Sequence, residues 1–368
     1  MAPYTNIPLS PAELSYLHTS LSQQPPLRPD GRSPTQFRPL IAETDILPSA
    51  NGSARICFAD GTEAIVGVKA EVEKSRLAHT VPSNGEAAGQ GVLGLGKGSA
   101  RDVGDEMDVE GDESGGKGRD AWLEVAIEIP GMRDDDALPV FLSAMLTEAL
   151  LADGGLKDRL WINSRFHWRL YIDILLHSQA LSYPLPLLSL TTHLALLSTR
   201  LPALVSEKDE DPLFNDDWEA STYLYPPTTT TQHQKPPVTL LVMSVGATIL
   251  FDPSKQELAV ADSVLAISAA QSSTGELRMV ALRTIDPPSR LTAAGVPNVL
   301  NTTTGATGAQ TLSAADVLAM REKDQGQSVW RPPRGGVPRA LVAKMIKMVV
   351  ERGGVGEEVM EGLANVET

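Results

Sequence analysis

A single cysteine, Cys57, stands among 368 residues. No internal disulfide can form, and no cysteine-built zinc site. That scarcity suits a reducing compartment, the nucleus or the cytosol. No run approaches the roughly 18 uncharged apolar residues of a membrane span, so no membrane partner is expected. The opening MAPYTNIPLSPAEL has neither the basic start nor the apolar stretch of a secretory leader, and none is expected. Positive charge is also short: 31 Lys and Arg face 46 Asp and Glu, a net charge of −15. A whole-surface preference for nucleic acid is therefore excluded, and any RNA contact has to be a local cluster of Lys and Arg. What the chain does have is bulk. Apolar residues make up 42%, enough for a sizeable core, and the length exceeds one ordinary domain of about 100–200 residues.

The pattern along the chain is strands followed by helices, twice over. Leu14, Leu17 and Leu21 lie at helical spacing behind Ser10 as N-cap, with Pro11 and Glu13 in the first turn. QQPP at 23–26 ends that helix. Three extended runs follow, FRPLIAETDIL, SARICFAD and TEAIVGVKAEVE. Asn51-Gly52 and Asp60-Gly61 between them are two-residue hairpin signals, and an antiparallel meander is predicted. Residues 80–119 hold 11 of the chain's 30 glycines and a run of acids. Such a stretch cannot bury enough apolar surface to offset its ordering, and a disordered, solvated insertion within a hairpin is expected. AWLEVAIEIPG reads as a strand, and DDDALPVFLSAMLTEALL as a helix with acids in its first turn. FHWRLYIDILLHS alternates as a strand, and LPLLSLTTHLALLSTRLP reads as a helix buried on most sides.

Residues 206–237 are polar and proline-rich, a linker by composition. Beyond them, 238–270 carries three strands with turns at Gly246 and Asp252-Pro253, and RMVALRTID adds a fourth. Residues 291–311 form a second soft insertion, and SAADVLAMREKD and PRALVAKMIKMVVER close the chain as helices. The result is an α+β architecture. It has an N-terminal helical extension at 1–26, a first half at 27–205, the linker at 206–237 and a second half at 238–368.

Several segments carry a family likeness. Arg28, Asp30, Gly31 and Arg32 in LRPDGR, Gly52-Ser53-Ala54 before a strand, the VGVKA strand from Val66 to Ala70, and WRLYIDILL together resemble the RNase PH family. More narrowly, they resemble ring subunits of the RNA exosome. The resemblance implies an RNase PH-like (ribosomal protein S5 domain 2-like) fold of two strand-then-helix layers. It implies a hetero-oligomeric six-membered ring built with other RNase PH-like subunits and capped by RNA-binding subunits. Single-stranded RNA would pass through its channel for rRNA maturation and RNA decay, in nucleus, nucleolus and cytoplasm.

Active members of that family grip phosphate with a Gly-Thr-Arg-Ser-like turn and supply acids from an Asp-x-Asp-x-Leu-x-x-Asp-Gly-like stretch. Phosphorolysis needs both an anion cradle and an acid or metal ligand at the leaving oxygen. Here the nearest turn is Asn163-Ser164-Arg165, without glycine. Asp173 stands alone: Tyr171 occupies the upstream acid position, and His177, Ser178, Gln179 and Ala180 replace the terminal Asp-Gly. The expectation is a degenerate site near Asp173 and Ser178 with no catalytic residue. An active phosphate-dependent 3′-to-5′ exoribonuclease is the competing reading, and a free-standing oligomeric binding module the third.

Arg133, Arg165, Arg169 and Arg119 are the candidate RNA contacts, since guanidinium grips phosphate and stacks on bases. An ordinary surface ion pair is the plain alternative for each, above all for Arg133, which precedes Asp134, Asp135 and Asp136. His167 and His177, ten apart, make no metal motif, and His79 and His233 fall in soft segments. Met320, Met345 and Met348 are spaced as helix core. GLGKGS lacks the flanking strand and helix of a phosphate loop. No cofactor and no metal is expected.

Overall fold

The computed structural model describes residues 9–75, 118–178, 182–206, 210–226, 234–272, 275–287 and 336–366. Helix α1 (Pro11–Ser22) begins on a reciprocal capping box. The Ser10 hydroxyl accepts from the Glu13 N–H, and the Glu13 carboxylate accepts from the Ser10 N–H at 2.7 Å. Its Leu14, Leu17 and Leu21 are buried, as their spacing requires. Strands β1 (Leu40–Thr44), β2 (Gly52–Phe58) and β3 (Glu63–Lys74) form the expected antiparallel meander. Then come β4 (Leu123–Glu128), α2 (Ala137–Leu151), α3 (Gly155–Arg159), β5 (Phe166–Leu176) and α4 (Leu185–Ser198). A two-residue ladder joins β6 (Arg200–Leu201) to β7 (Thr222–Tyr223). The second half holds β8 (Val238–Val245), β9 (Thr248–Phe251), α5 (Lys255–Leu258), β10 (Ser263–Gln271), β11 (Leu277–Ile285), α6 (Arg339–Val350) and α7 (Val355–Ala364). The strand orders are β1-β2-β3-β5-β4 and β11-β10-β8-β9.

Helix α4 lies between the two sheets, against β2 and β3 on one side and β8 on the other. That position explains LPLLSLTTHLALLS, apolar on every face. Most of its buried polar groups are satisfied locally or across the interface, the exception being His193 Nε2, which has no hydrogen-bond partner among the described residues. Thr191 and Thr192 donate to the carbonyls of Leu187 and Leu188, and Ser198 both donates to and accepts from the Ser53 backbone. The imidazole of His193, fully buried, meets the Pro236 carbonyl through Nδ1 at 2.8 Å. Burial pushes His193 down to about 4, so the ring is neutral. Strand β8 is buried at all eight positions, which matches the unbroken apolar run VTLLVMSV. One core joins Ile56, Val66, Leu170 and Ile172 to Leu241 and Met243. A second lies on the far face of β8 and β10, where Leu240, Val242 and Ile267 meet Met345 and Val349 of α6.

Some expectations fail for reasons the geometry makes plain. Asp60-Gly61 is a turn, with Gly61 at φ +83°, but Asn51-Gly52 is not. Gly52 opens β2, and a Cβ there would sit 2.5 Å from the Thr199 Cα. Close packing on the end of α4, rather than turn conformation, requires glycine there. Asn51 instead locks three segments: it accepts from Ala70 N–H, donates to the Arg200 carbonyl, and its own N–H donates to the Val68 carbonyl. The segment 80–119 does not join hairpin partners, because β5 lies between β3 and β4, and β4 runs parallel to β5. Asp134, Asp135 and Asp136 precede α2 rather than filling its first turn; Asp136 is the N-cap.

Within 206–237, residues 210–226 are folded back rather than strung out. Phe214 bridges Leu204, and Leu224 and Tyr225 are buried. A last helix, α7, follows Gly353-Gly354, a pair that reads as a stop in sequence. The expected helix SAADVLAMREKD, Met320, the GLGKGS stretch and the insertion at 291–311 lie outside the described residues, as do His79 and His233.

The LRPDGR turn is the joint between the halves. The Arg28 side chain has no exposure and forms a bidentate pair with Glu257, likewise buried, at 2.7 and 2.9 Å. It also donates to the carbonyls of Phe251 and Asp252. Arg32 and Arg38 both grip the Asp252 carboxylate, at 2.8 and 2.6 Å. Asp30 holds Arg32 at 2.6 Å, and Asp60 holds Arg38 at 2.5 Å. Burial alone would raise the Asp252 carboxyl, but hydrogen bonding and charge from Arg38, with Arg32 behind it, hold it below the usual carboxylate range. Glu257 also closes the capping box of α5, accepting from Ser254 N–H at 2.7 Å.

Arg28→Met leaves the Glu257 carboxylate buried and unpaired, and should cost about 3–5 kcal/mol in denaturant unfolding. Arg28→Met with Glu257→Leu should recover much of that loss; if the pair of changes is as damaging as the single one, the ion pair is not the source. A separate outcome concerns His193. The unfolded chain takes up a proton below the ordinary imidazole value of about 6.5, while the folded chain resists until about 4. Stability should therefore fall by about 3 kcal/mol as pH drops across that window, and His193→Leu should flatten that part of the pH profile.

Candidate functional site

Strand β5 alternates by design of its sequence. Leu170, Ile172, Ile174 and Leu176 point into the core, so Arg169, Tyr171, Asp173 and Leu175 face outward. Asp173 is exposed on that outer face. Its ladder neighbours are Gly67 on β3 and Ala126 on β4, a hydrogen and a methyl. The carboxylates nearest in register are Glu124 and Glu128 on β4, opposite Tyr171 and Leu175. Diagonal neighbours of this kind have backbones roughly 7–8 Å apart rather than directly opposite. Glu124 is in any case engaged by Arg169 at 2.8 Å. Among the described residues, no group of three or more His, Cys, Asp or Glu side chains is arranged to hold a metal. Lys69, at the edge of this face, is raised chiefly by its hydrogen bond to Glu71, with a smaller contribution from Asp173.

Ser178 is a fastener. Its hydroxyl donates to the Gly61 carbonyl and accepts from the Glu63 N–H, both at 3.1 Å, while the His177 N–H donates to the Glu63 carbonyl at 2.9 Å. The end of β5 thus closes the Asp60-Gly61 turn with the groups that would otherwise face a ligand. Gln179 and Ala180 lie outside the described residues.

The Asn163-Ser164-Arg165 turn is equally occupied. Asn163, buried, accepts from the N–H groups of Arg165 and Phe166 at 2.9 and 2.8 Å and donates to the Glu210 carbonyl. The two amides best placed to grip an anion are already bonded. The turn also lies at the start of β5, eight residues before Asp173, roughly 25 Å along the strand. The two fragments that resemble a phosphate cradle and an acid do not meet.

Three of the four candidate arginines gather near the start of β5. Arg169 spans Glu73 and Glu124 above the Tyr171 ring, and its hydrogen bond to Glu124 is the main reason its guanidinium is raised. Arg165 pairs with Asp211 at 3.2 Å and is half exposed. Arg119 lies close enough to His167 to disfavour its charged form, although burial is the larger cause. His167 itself stacks on Trp122 with ring centroids 4.4 Å apart and shares a hydrogen bond with Ser75. It is a buried histidine of the fold. Arg133 stands apart, after the far end of β4, paired with Asp135 at 3.1 Å with 82% of its side chain exposed.

Sequence reasoning missed Glu257 and Asp252, the two acids that give the LRPDGR motif its partners. One signal was legible: Ser254-x-x-Glu257 is a capping-box spacing.

No family model matches the chain. It is 31% identical over 281 residues to exosome complex component RRP42 of Saccharomyces cerevisiae, spanning 74% of this chain and 86% of that protein. It is 31% identical over 280 residues to exosome complex component rrp42 of Schizosaccharomyces pombe, spanning 72% of this chain and 79% of that one. Similar solved structures include the Archaeoglobus fulgidus exosome with RNA bound to the active site, at 19% identity and a TM-score of 0.48, covering 75% of this chain and 87% of that one. An archaeal exosome core is similar at 18% identity and a TM-score of 0.46, covering 85% and 96%.

Asn163→Ala strands two backbone amides and loosens the 210 segment, and should cost about 1–3 kcal/mol in thermal or denaturant unfolding. Asp173→Ala, exposed and without a hydrogen-bond partner among the described residues, should shift stability by no more than about 0.5 kcal/mol. A large loss at Asp173 would mean that the outer face holds it in a way the ladder geometry does not contain.

Proposed function

The chain belongs to the family of exosome complex component RRP42, and from that premise we propose that it is a noncatalytic subunit of the exosome ring. Its partners in this reading are other RNase PH-like ring subunits, the RNA-binding cap subunits and single-stranded RNA. Its work is to complete the channel wall for 3′-to-5′ processing, rRNA maturation and mRNA decay among its tasks, in the nucleus, the nucleolus and the cytoplasm. The observation that carries the reading is the isolation of Asp173. Flanked in the ladder by Gly67 and Ala126, it has its nearest carboxylates in register, Glu124 and Glu128, a diagonal step away, and Arg169 engages Glu124. Phosphoryl transfer needs groups converging on the reacting atoms. The turn at 163–165 supports the reading from the other side, since Asn163 takes up its amides.

The channel role rests on Arg119, Arg165 and Arg169. They lie near one end of the first sheet, and RNA phosphate would have to displace Asp211 from Arg165, and Glu73 and Glu124 from Arg169, to reach them. Arg133, 82% exposed beyond the opposite end of the sheet, is a separate candidate contact.

The test has two arms. Co-expressed with RNase PH-like exosome subunits, the chain should elute in sizing chromatography as part of a six-membered ring; a stable lone monomer that never enters a ring would end the scaffold reading. Incubated with single-stranded RNA, inorganic phosphate and magnesium, the purified chain should release no nucleoside diphosphate. Release that disappears on Asp173→Ala would establish an active exoribonuclease instead.

A further inference from the structure

The segment between β6 and β7 is an antiparallel hairpin of unusual surface. Beyond the β6–β7 ladder, the Asn215 N–H donates to the Ala203 carbonyl, Leu204 pairs with Phe214, and the Val205 N–H donates to the Leu213 carbonyl at 2.8 Å. Cross-strand residues share a face, and successive pairs alternate faces. Phe214 packs on Trp168, 5.0 Å between ring centroids, so the next pair along, Val205 and Leu213, points away from the body. These two residues are 56% and 64% exposed, Leu204 beside them is 46% exposed, and Trp218, in the short 3-10 turn Trp218–Ala220 that follows, is 49% exposed. Single exposed apolar residues are ordinary, but four large ones within residues 204–218 fit a recognition surface.

The charge of the segment's own sequence is mostly negative. Between 206 and 221 the sequence has seven acids and one lysine, Lys208. Asp211 is committed to Arg165. Asp216 and Glu219 are exposed and have no cationic partner among the described residues, which include no Lys or Arg in 210–226. The hairpin is also held firmly, by Asn163 donating to the Glu210 carbonyl and by the Phe214–Trp168 packing, so little ordering would be needed on binding.

We propose that the outer face of this hairpin docks a protein segment in which Lys or Arg side chains flank large apolar ones. The apolar anchors would cover Val205, Leu213 and Trp218, and the cations would meet Asp216 and Glu219. Nucleic acid does not suit the surface, because the same acids repel phosphate. The inference is independent of whether Asp173 is catalytically silent.

The probe is a short fluorescein-labelled peptide alternating lysine with leucine, titrated into the full chain, alone or within its assembled complex, and followed by anisotropy. Wild type should bind it with an affinity that weakens as salt rises. Val205→Thr with Leu213→Thr, both on the surface, should weaken binding at least about tenfold while leaving the circular dichroism unchanged. Asp216→Asn with Glu219→Gln should weaken it and flatten the salt dependence. The proposal fails if both variants bind as wild type does, or if the same peptide with glutamate in place of lysine binds equally well. It also fails if the variants lose affinity for labelled oligouridine, or if Leu213 supports a concentration-dependent self-association that Leu213→Thr abolishes. Those last two results would give the surface to RNA or to a second copy of the chain.

Discussion

The fold turns on a buried ion pair. Arg28 and Glu257 are 229 residues apart and both lack exposure at their side chains. Isolated, either charge would be costly to bury; together, with the carbonyls of Phe251, Asp252 and Ser33 taking the remaining guanidinium protons, they form a satisfied unit. Arg32 and Arg38 then converge on Asp252, and Asp60 ties that cluster to the β2–β3 turn. The first sheet is oriented against the second by this joint, by α4 packed between them, and by α2, whose Glu148 holds Arg283 of β11 at 2.7 Å. The family-like LRPDGR motif is therefore a structural device here: a turn whose arginines reach the other half of the chain.

The same economy explains the silent appearance of the outer face. Groups that would serve a ligand in an open site are engaged in holding the fold. Asn163 bonds the amides that would cradle an anion, Ser178 closes the turn at Gly61, and Arg169 bridges Glu73 and Glu124. Asp173 is left exposed among neighbours too small to support it. A strand can keep its register, and so its shape, when the polar side chains on its solvent face change, because register is set by the buried alternation of Leu170, Ile172, Ile174 and Leu176.

Much of this was legible before any coordinates. The Ser10 capping box, the leucine stripe of α1, the meander and the enclosed helix at 185–198 follow from patterns of a few residues. The isolation of Asp173 was also foreseeable in part, since Tyr171 holds the place of an upstream acid. Other features were not legible. Asn51-Gly52 carries a hairpin spacing, yet the glycine answers to Thr199 across the core. The strand order places β5 between β3 and β4, which no spacing reveals. Asn163-Ser164-Arg165 and Asp173 belong to one short stretch of sequence, yet an extended strand holds them far apart. The folded-back segment at 210–226 looked like a linker because its composition is polar and its anchors, Phe214, Leu224 and Tyr225, are few.

The sequence by itself determined the class of elements, their order, the apolar faces and the shortage of positive charge, because each depends on residue type and near neighbours in the chain. Tertiary structure alone decided which acid meets which arginine and which glycine is needed for closeness rather than turning. Those are matters of docking between segments some thirty to two hundred residues apart, and periodicity has no memory over such distances.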